Sequence, residues 1–328
     1  MPETTKLASS HYMQSNEWAK LRTATGWEIL SLTLDNGKIV HAYRKKTPLG
    51  GVVYIPGFMP AHPSQIKQLA EQVSHGGNLT CKIEPCEPVN EEVVGYFQDA
   101  GWKPARHVQY GHTIRLNLSQ AEDELWMGMK SRGRQEVNYA KRDGVTVVEA
   151  DCAPEDFETM EDLLRGTSRR KAFGIREKRG VINFWETFHD AGRLRLFFAK
   201  YEGKIIAGGI FITDGNSTVW YKDAGSLPAY SKHFGPRLLL WEAARAFKKE
   251  GYQIFDLGGI PGPEEYETSS MKGIYIFKTA LAREVTTMMP AFELPLKPFK
   301  HALWQKVEPR AVKANRLAST IKGKLTSR

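Results

Sequence analysis

In the stretch "YQIFDLGGIPG" an apolar run, Tyr252 to Phe255, meets an acid, Asp256, and two glycines follow. Strand, acid and glycine turn open several nucleotide sites. Gly258 and Gly259 let the backbone turn sharply past the acid. Asp256 then either orients a substrate amine or an adjacent cation, or caps the turn amides. A second acid, Glu84 in "CKIEP", closes a similar apolar run. Downstream, "IYIFK" ends on Phe277 and Lys278. Read alone it is an alternating strand with Ile274 and Ile276 inward and Lys278 in solvent. Upstream, "EDELWMGMKSRGRQEVNYAKRDGV" reads as a helix ending at Gly144. Its basic face, Lys130, Arg134 and Lys141 with Arg132 and Arg142, is either a solvated surface or a contact for phosphate or RNA.

Several chemistries lack their residues. Cys81, Cys86 and Cys152 make no disulfide framework and no zinc-ligand spacing, so reduced cysteines near a core are expected. No histidine pair sits at metal-binding spacing, and no metal or cofactor is expected. There is no Gly-x-x-x-x-Gly-Lys-Ser/Thr loop and no Gly-x-Ser-x-Gly elbow. Pro261 and Pro263 spoil the turn after Asp256 as a dinucleotide cradle.

The elements that carry these residues come twice. "WEILSLTLDNGKIVHAYRKK", "GGVVYIPGFMP", "SQIKQLAEQV" and "NLTCKIEP" repeat in order as "LRLFFAKYEGKIIAGGIFIT", "STVWYKDAGSLP", "PRLLLWEAARAFKKEG" and "YQIFDLGG". Each copy reads as a hairpin turning at Gly37 or Gly203, a third strand, a loop, a helix and a further strand. Glu84 thereby stands opposite Asp256. Four matched elements in one order indicate two copies of one α/β module. Pro236 suits the first turn of the second helix and Gly251 stops it.

Hairpin, strand, helix, strand is similar to the middle of the acetyltransferase (GNAT) fold. The coenzyme A cradle of that fold is missing, since both candidate loops carry prolines where backbone N–H donors are needed. The whole chain resembles the Fem aminoacyl-transferases (FemA, FemB, FemX) and is most similar to the FemX type. The resemblance runs from about Trp18 to Phe292 and is carried by "RLFFAKYEGKIIAGGI", "VWYKDAGS", "FDLGGI" followed by "IYIFKTALA", and "SRGRQEVNYAKRDGV". It implies two tandem acetyltransferase-like domains, α/β with mixed sheets and helices on both faces, without a coiled-coil arm between Gly144 and Arg195. The expected boundaries are 1–118, 119–290 and a basic tail, 291–328.

The resemblance also implies the activity: transfer of an amino acid from aminoacyl-tRNA to the stem peptide of a peptidoglycan precursor, lipid-linked (lipid II) or nucleotide-linked (UDP-MurNAc-peptide). Phe277 and Lys278 match the Phe-Lys that meets the acceptor end of the tRNA. Lys278 would stabilise the developing oxyanion, Phe277 would stack on the terminal adenine, and Lys130, Arg134 and Lys141 would contact the tRNA. Lys20, Glu84 and Arg179, with Lys178 as its rival, would hold the precursor. Leu79, Asn183 and Arg237 depart from the family's tyrosines in the precursor site. Two other functions stay open: an acyl-CoA-dependent N-acyltransferase of the same double fold, and a non-catalytic RNA- or membrane-binding relative.

Of the 328 residues 41% are hydrophobic, as suits a globular protein. No apolar run is long enough to span a membrane and the first ten residues hold no signal core, so a cytoplasmic protein is expected; a monomer is expected as well. The net charge is +9, and residues from Ala291 onward hold nine Lys or Arg against two Asp or Glu. Ala314, Leu317, Ala318, Ile321 and Leu325 share a helical face there, with Lys313, Arg316, Lys322 and Lys324 elsewhere. This basic amphipathic tail is expected to lie at the inner, anionic face of the cell membrane, or to contact tRNA.

Overall fold

The computed structural model describes residues 11–171 and 177–307. The chain forms two compact units. The first holds α1 (Asn16–Ala24), β1 (Glu28–Thr33), β2 (Ile39–Thr47), β3 (Gly50–Pro56), α2 (Pro63–Ser74), β4 (Asn78–Glu84), α3 (Glu91–Asp99) and β5 (Lys103–Ala105). The second, Tyr110–Thr287, holds β6 (His112–Asn117), α4 (Glu122–Gly128), α5 (Ser131–Arg142), β7 (Thr146–Glu149), α6 (Pro154–Lys171), α7 (Lys178–Asp190), β8 (Leu194–Tyr201), β9 (Lys204–Thr213), β10 (Thr218–Ser226), α8 (Gly235–Lys249), β11 (Ile254–Ile260), α9 (Lys272–Thr279) and β12 (Thr286–Thr287). The chain then returns to the first unit as β13 (Ala291–Pro295) and a helix over 298–307, α10.

The sheets are mixed, ordered β1-β2-β3-β4-β13-β5 and β12-β6-β11-β10-β9-β8-β7. The internal repeat is visible as topology. In each unit two antiparallel pairs lead to a strand that lies parallel to the one after the helix: β3 with β4, and β10 with β11. Pro56 faces Glu84 in the first pair and Trp220 faces Asp256 in the second. The second hairpin turns on Glu202 and Gly203, both at positive φ (48° and 76°), as the tight primed turn demands.

Three sequence expectations are corrected. The 118/119 boundary moves upstream, because β6 pairs with β11 inside the second sheet. The tail does not begin at 291, because β13 pairs with both β4 and β5, and Phe292 stacks on Phe97 at 4.2 Å in the first core. The basic helix is two, α4 and α5, since Met129 and Lys130 are extended (ψ 148° and 150°). The amphipathic face from Ala314 to Leu325 lies outside the described residues.

Between Gly144 and Arg195, α6 packs on β9 and β10 and α7 on β8, as layers of the domain rather than an arm. α6 comes close to β10 because Gly225 has no side chain. A Cβ there would lie 2.3 Å from the backbone carbon of Leu163. On the other face of the sheet α8 buries Leu238, Leu239, Leu240, Trp241, Ala244 and Phe247.

Candidate functional site

The site begins where two parallel strands part. β10 and β11 pair only over Thr218–Trp220 and Ile254–Asp256, and then both continue, to Ser226 and Ile260. Each stays hydrogen-bonded on its outer side through a bulge, β10 to β9 near Tyr221 and Asp223, β11 to β6 between Asp256 and Gly259. "FDLGG" is therefore not a strand followed by a turn. The strand runs through the glycines, and Gly258 (φ 75°) supplies the left-handed residue of the bulge.

Beyond the point where the strands part, residues 221–226 of β10 line a cavity of about 430 Å³ together with α6, the start of α8 and α9. Its lining includes Leu164, Thr167, Lys222, Gly273, Phe277 and Lys278. The last three lie on α9, so "IYIFK" is helical, not the strand that its apolar run suggested, and Ile276 is 42% exposed rather than inward. A run of four apolar residues fits either period, and here the contacts of Phe277 and Lys278 decide it.

Lys278 is partly buried, and its Nζ donates to the carbonyl of Gly259 at 3.0 Å. Burial pushes its pKa down to about 8, and the negative charge of Asp256 resists that fall. Asp256 is wholly enclosed. Its Oδ1 accepts from Thr113 Oγ1 at 2.6 Å and from the Gly258 amide at 2.7 Å, and its Oδ2 accepts from Arg115 Nε at 2.9 Å. Of the roles expected for Asp256, the structure shows the adjacent cation and the amide cap. The acid reaches Lys278 only through its field.

Phe277 also lines a second cavity of about 260 Å³, which Arg237 and Glu136 help to line. The Arg237 guanidinium lies 4.3 Å from the centre of the Phe277 ring and donates to the Phe277 carbonyl at 2.5 Å. Glu136 accepts from Arg237 Nε at 2.8 Å. Arg237 is buried and braces Phe277 from behind.

The basic face divides. Lys130 joins the site, since its Nζ donates to Thr279 Oγ1 at 3.2 Å and its amide to the Ala280 carbonyl at 3.1 Å. Arg134 is turned inward to the carbonyls of Met127 and Met129, and Lys141 pairs with Glu242 at 2.8 Å. Those two are held by the protein's own groups, while Lys141 stays exposed.

In the first unit Glu84 is the structural counterpart of Asp256. It is buried and accepts from Tyr54 OH at 2.8 Å, from the Val108 amide at 3.1 Å and from the Gln109 amide at 3.1 and 3.2 Å, with His107 Nδ1 at 3.1 Å. Its carboxylate, expected to hold the precursor, is engaged by the protein's own groups. Lys20 is exposed on α1. Lys178, the first residue of α7, pairs with Glu158, and Arg179 beside it is exposed. Leu79 is core, and Asn183 is exposed on α7. The sequence reading missed Thr113, Arg115 and Glu136, which lie far along the chain from the groups they hold. Only the alternation of "HTIRLN" marks the strand of the first two.

Known proteins resemble this chain in sequence and fold. Residues 129–268 match the acetyltransferase (GNAT) domain family. The UDP-N-acetylmuramoylpentapeptide-lysine N(6)-alanyltransferase of Weissella viridescens is 26% identical over 157 residues, 47% of this chain and 43% of that protein. A lipid II:glycine glycyltransferase of Staphylococcus haemolyticus is 20% identical across 58% of this chain and 51% of its own. The chain thus spans about half the length of these curated relatives, although the Staphylococcus epidermidis glycyltransferase aligns at 19% identity across 95% of the chain and 94% of its own length. Among solved structures, that of FemX superposes with a TM-score of 0.79 at 16% identity, covering 92% of this chain and 95% of that one. These likenesses bear out the tandem acetyltransferase-like fold and the resemblance to the Fem transferases.

Proposed function

We propose that this Fem-type chain is an aminoacyltransferase, which passes an amino acid from aminoacyl-tRNA to an amine on the stem peptide of a peptidoglycan precursor. The observation that carries the reading is Lys278, a partly buried ammonium fixed at the wall of the cavity that β10 and α9 line. The names of the relatives above support the acceptor, a lipid II or a UDP-N-acetylmuramoyl-peptide. The donor rests on the resemblance of "IYIFK" and on loops unsuited to coenzyme A.

The reaction is aminolysis of an ester. The amine nitrogen attacks the ester carbonyl, a C–N bond forms, and the carbonyl electron pair moves to oxygen. Collapse of that tetrahedral intermediate breaks the bond to the ribose oxygen, which takes up the proton that the nitrogen gives off. The ester is already activated, so the reaction calls for no metal and no protein nucleophile. Alignment of the two substrates supplies much of the acceleration. The ammonium of Lys278 meets the charge that develops on the carbonyl oxygen or on the departing ribose oxygen. With a pKa near 8 it is mostly charged at neutral pH, yet acidic enough to hand a proton to the ribose oxygen. Phe277, braced by Arg237, offers a flat face to an unpaired base.

The match to the GNAT family favours one rival, acyl-CoA as donor. Incubation with charged tRNA, and separately with acetyl-CoA, beside a lipid-linked and a nucleotide-linked peptide separates the two. Transfer from tRNA alone is expected. Turnover of acetyl-CoA without tRNA overturns the reading, and no transfer from either donor leaves a non-catalytic binding protein.

A further inference from the structure

The helix α10 buries one side and exposes an apolar strip on another. His301 is buried, its amide donating to the Lys297 carbonyl at 2.8 Å and its Nε2 lying 3.2 Å from Glu293 Oε1 on β13, and Trp304 is half-buried beside it. These contacts fix the helix on the first unit and decide which side faces outward. On the outer side stand Phe299, Leu303 and Val307, 94%, 49% and 42% exposed. Their spacing of four residues sets them on one strip of an α-helix. Phe299 is the most exposed large apolar side chain of the described residues. By the same helical period Lys306 falls on one border of the strip and Lys300 on the other, both exposed.

An apolar strip with a lysine on each border is the arrangement of a helix that lies in a membrane interface. The strip enters the acyl boundary while the lysine stems extend along it and hold their ammonium groups at anionic headgroups. We propose that the outer face of α10 docks on an anionic lipid bilayer, with Phe299, Leu303 and Val307 inserted and Lys300 and Lys306 on the headgroups. Charge complementarity favours this occupant, since residues 298–307 carry Lys300 and Lys306 and no acidic side chain. A nucleic-acid backbone would use the lysines and leave a fully exposed phenylalanine without a partner, and a second copy of the chain would set lysines against lysines. The inference is independent of the reaction proposed above and differs from the tail expected beyond residue 313, which lies outside the described residues.

The test is co-sedimentation of the full chain with vesicles of phosphatidylcholine and phosphatidylglycerol at a 3:1 ratio, and of phosphatidylcholine alone. Binding to the mixed vesicles is expected, and the double variant Phe299→Ser, Leu303→Ser should weaken it at least about tenfold. Lys300→Gln with Lys306→Gln should weaken it on the order of tenfold or more, and raised salt should do the same. Because the substituted side chains are exposed, the melting temperature should not move. Vesicle binding that the apolar variant leaves unchanged overturns the proposal. So does a loss of tRNA binding in the lysine variant with vesicle binding intact, which makes the face an RNA contact. A dimer in sedimentation velocity that the apolar variant converts to monomer assigns the strip to a second copy instead.

Discussion

Replacing Lys278 with methionine keeps a long side chain and removes its charge. An ammonium about 3 Å from an oxyanion, at an effective dielectric of about 20, is worth about 5 kcal/mol. Part of that charge is already engaged by the Gly259 carbonyl and the field of Asp256. A loss on the order of a hundredfold in the chemical step remains, about 2.7 kcal/mol. The pH dependence isolates the cause. Wild-type rates mix the protonation of Lys278 with that of the attacking amine, but the ratio of wild type to Lys278→Met cancels the amine. If the charged lysine acts, the ratio is flat at low pH and falls about tenfold per pH unit above about 8. The stability of the fold moves the other way. A lysine whose pKa is depressed by folding costs stability below the folded pKa, and the cost is relieved as pH rises from about 8 toward the unfolded value near 10.4. Lys278→Met should therefore be more stable than wild type at pH 7, by on the order of 1 kcal/mol, and the advantage should shrink above pH 8. Single-turnover rates from pH 6.5 to 9.5, with thermal melts alongside, make the measurement. A ratio within about threefold at pH 7, or one that rises with pH, refutes the electrostatic role and leaves a base or mere alignment.

Asp256→Asn breaks the ion pair with Arg115 at a wholly enclosed carboxylate, so a loss of about 3–5 kcal/mol is expected in denaturant unfolding. In whatever folds, the midpoint of the Lys278 ratio should shift below pH 8, because the one attraction that holds its pKa up is gone. Gly225→Ala should lower the melting temperature by more than 5 °C, since its Cβ meets the backbone of α6 at 2.3–2.5 Å, where no side chain can yield. An unchanged melting curve would show that α6 can slide on β10.

The doubled module was readable because hairpins, helices and buried strands carry local signatures. Gly203 in its turn and Pro236 and Gly251 around α8 need no partner to be recognised. What decides the site is not local. Whether Asp256 meets a substrate or a cation depends on Arg115, more than a hundred residues away on a neighbouring strand. The strand reading of "IYIFK" failed because four apolar residues hold no period, and its true conformation is set by packing around Gly259 and Arg237. The boundaries failed together. Composition placed 291–328 in a charged tail, but Ala291 and Phe292 are core residues of a strand whose partners lie some two hundred residues earlier.

That strand also orders events during synthesis. The first unit emerges from the ribosome first, but β4 lacks its second neighbour and β5 has none until Ala291–Pro295 has been made, and the face of Phe97 that Phe292 will cover stays bare. Every strand of the second sheet precedes that point. The part of the protein translated first is therefore the last to be completed. For the time it takes to add nearly two hundred residues, it presents an open sheet edge of the kind that invites pairing with other chains.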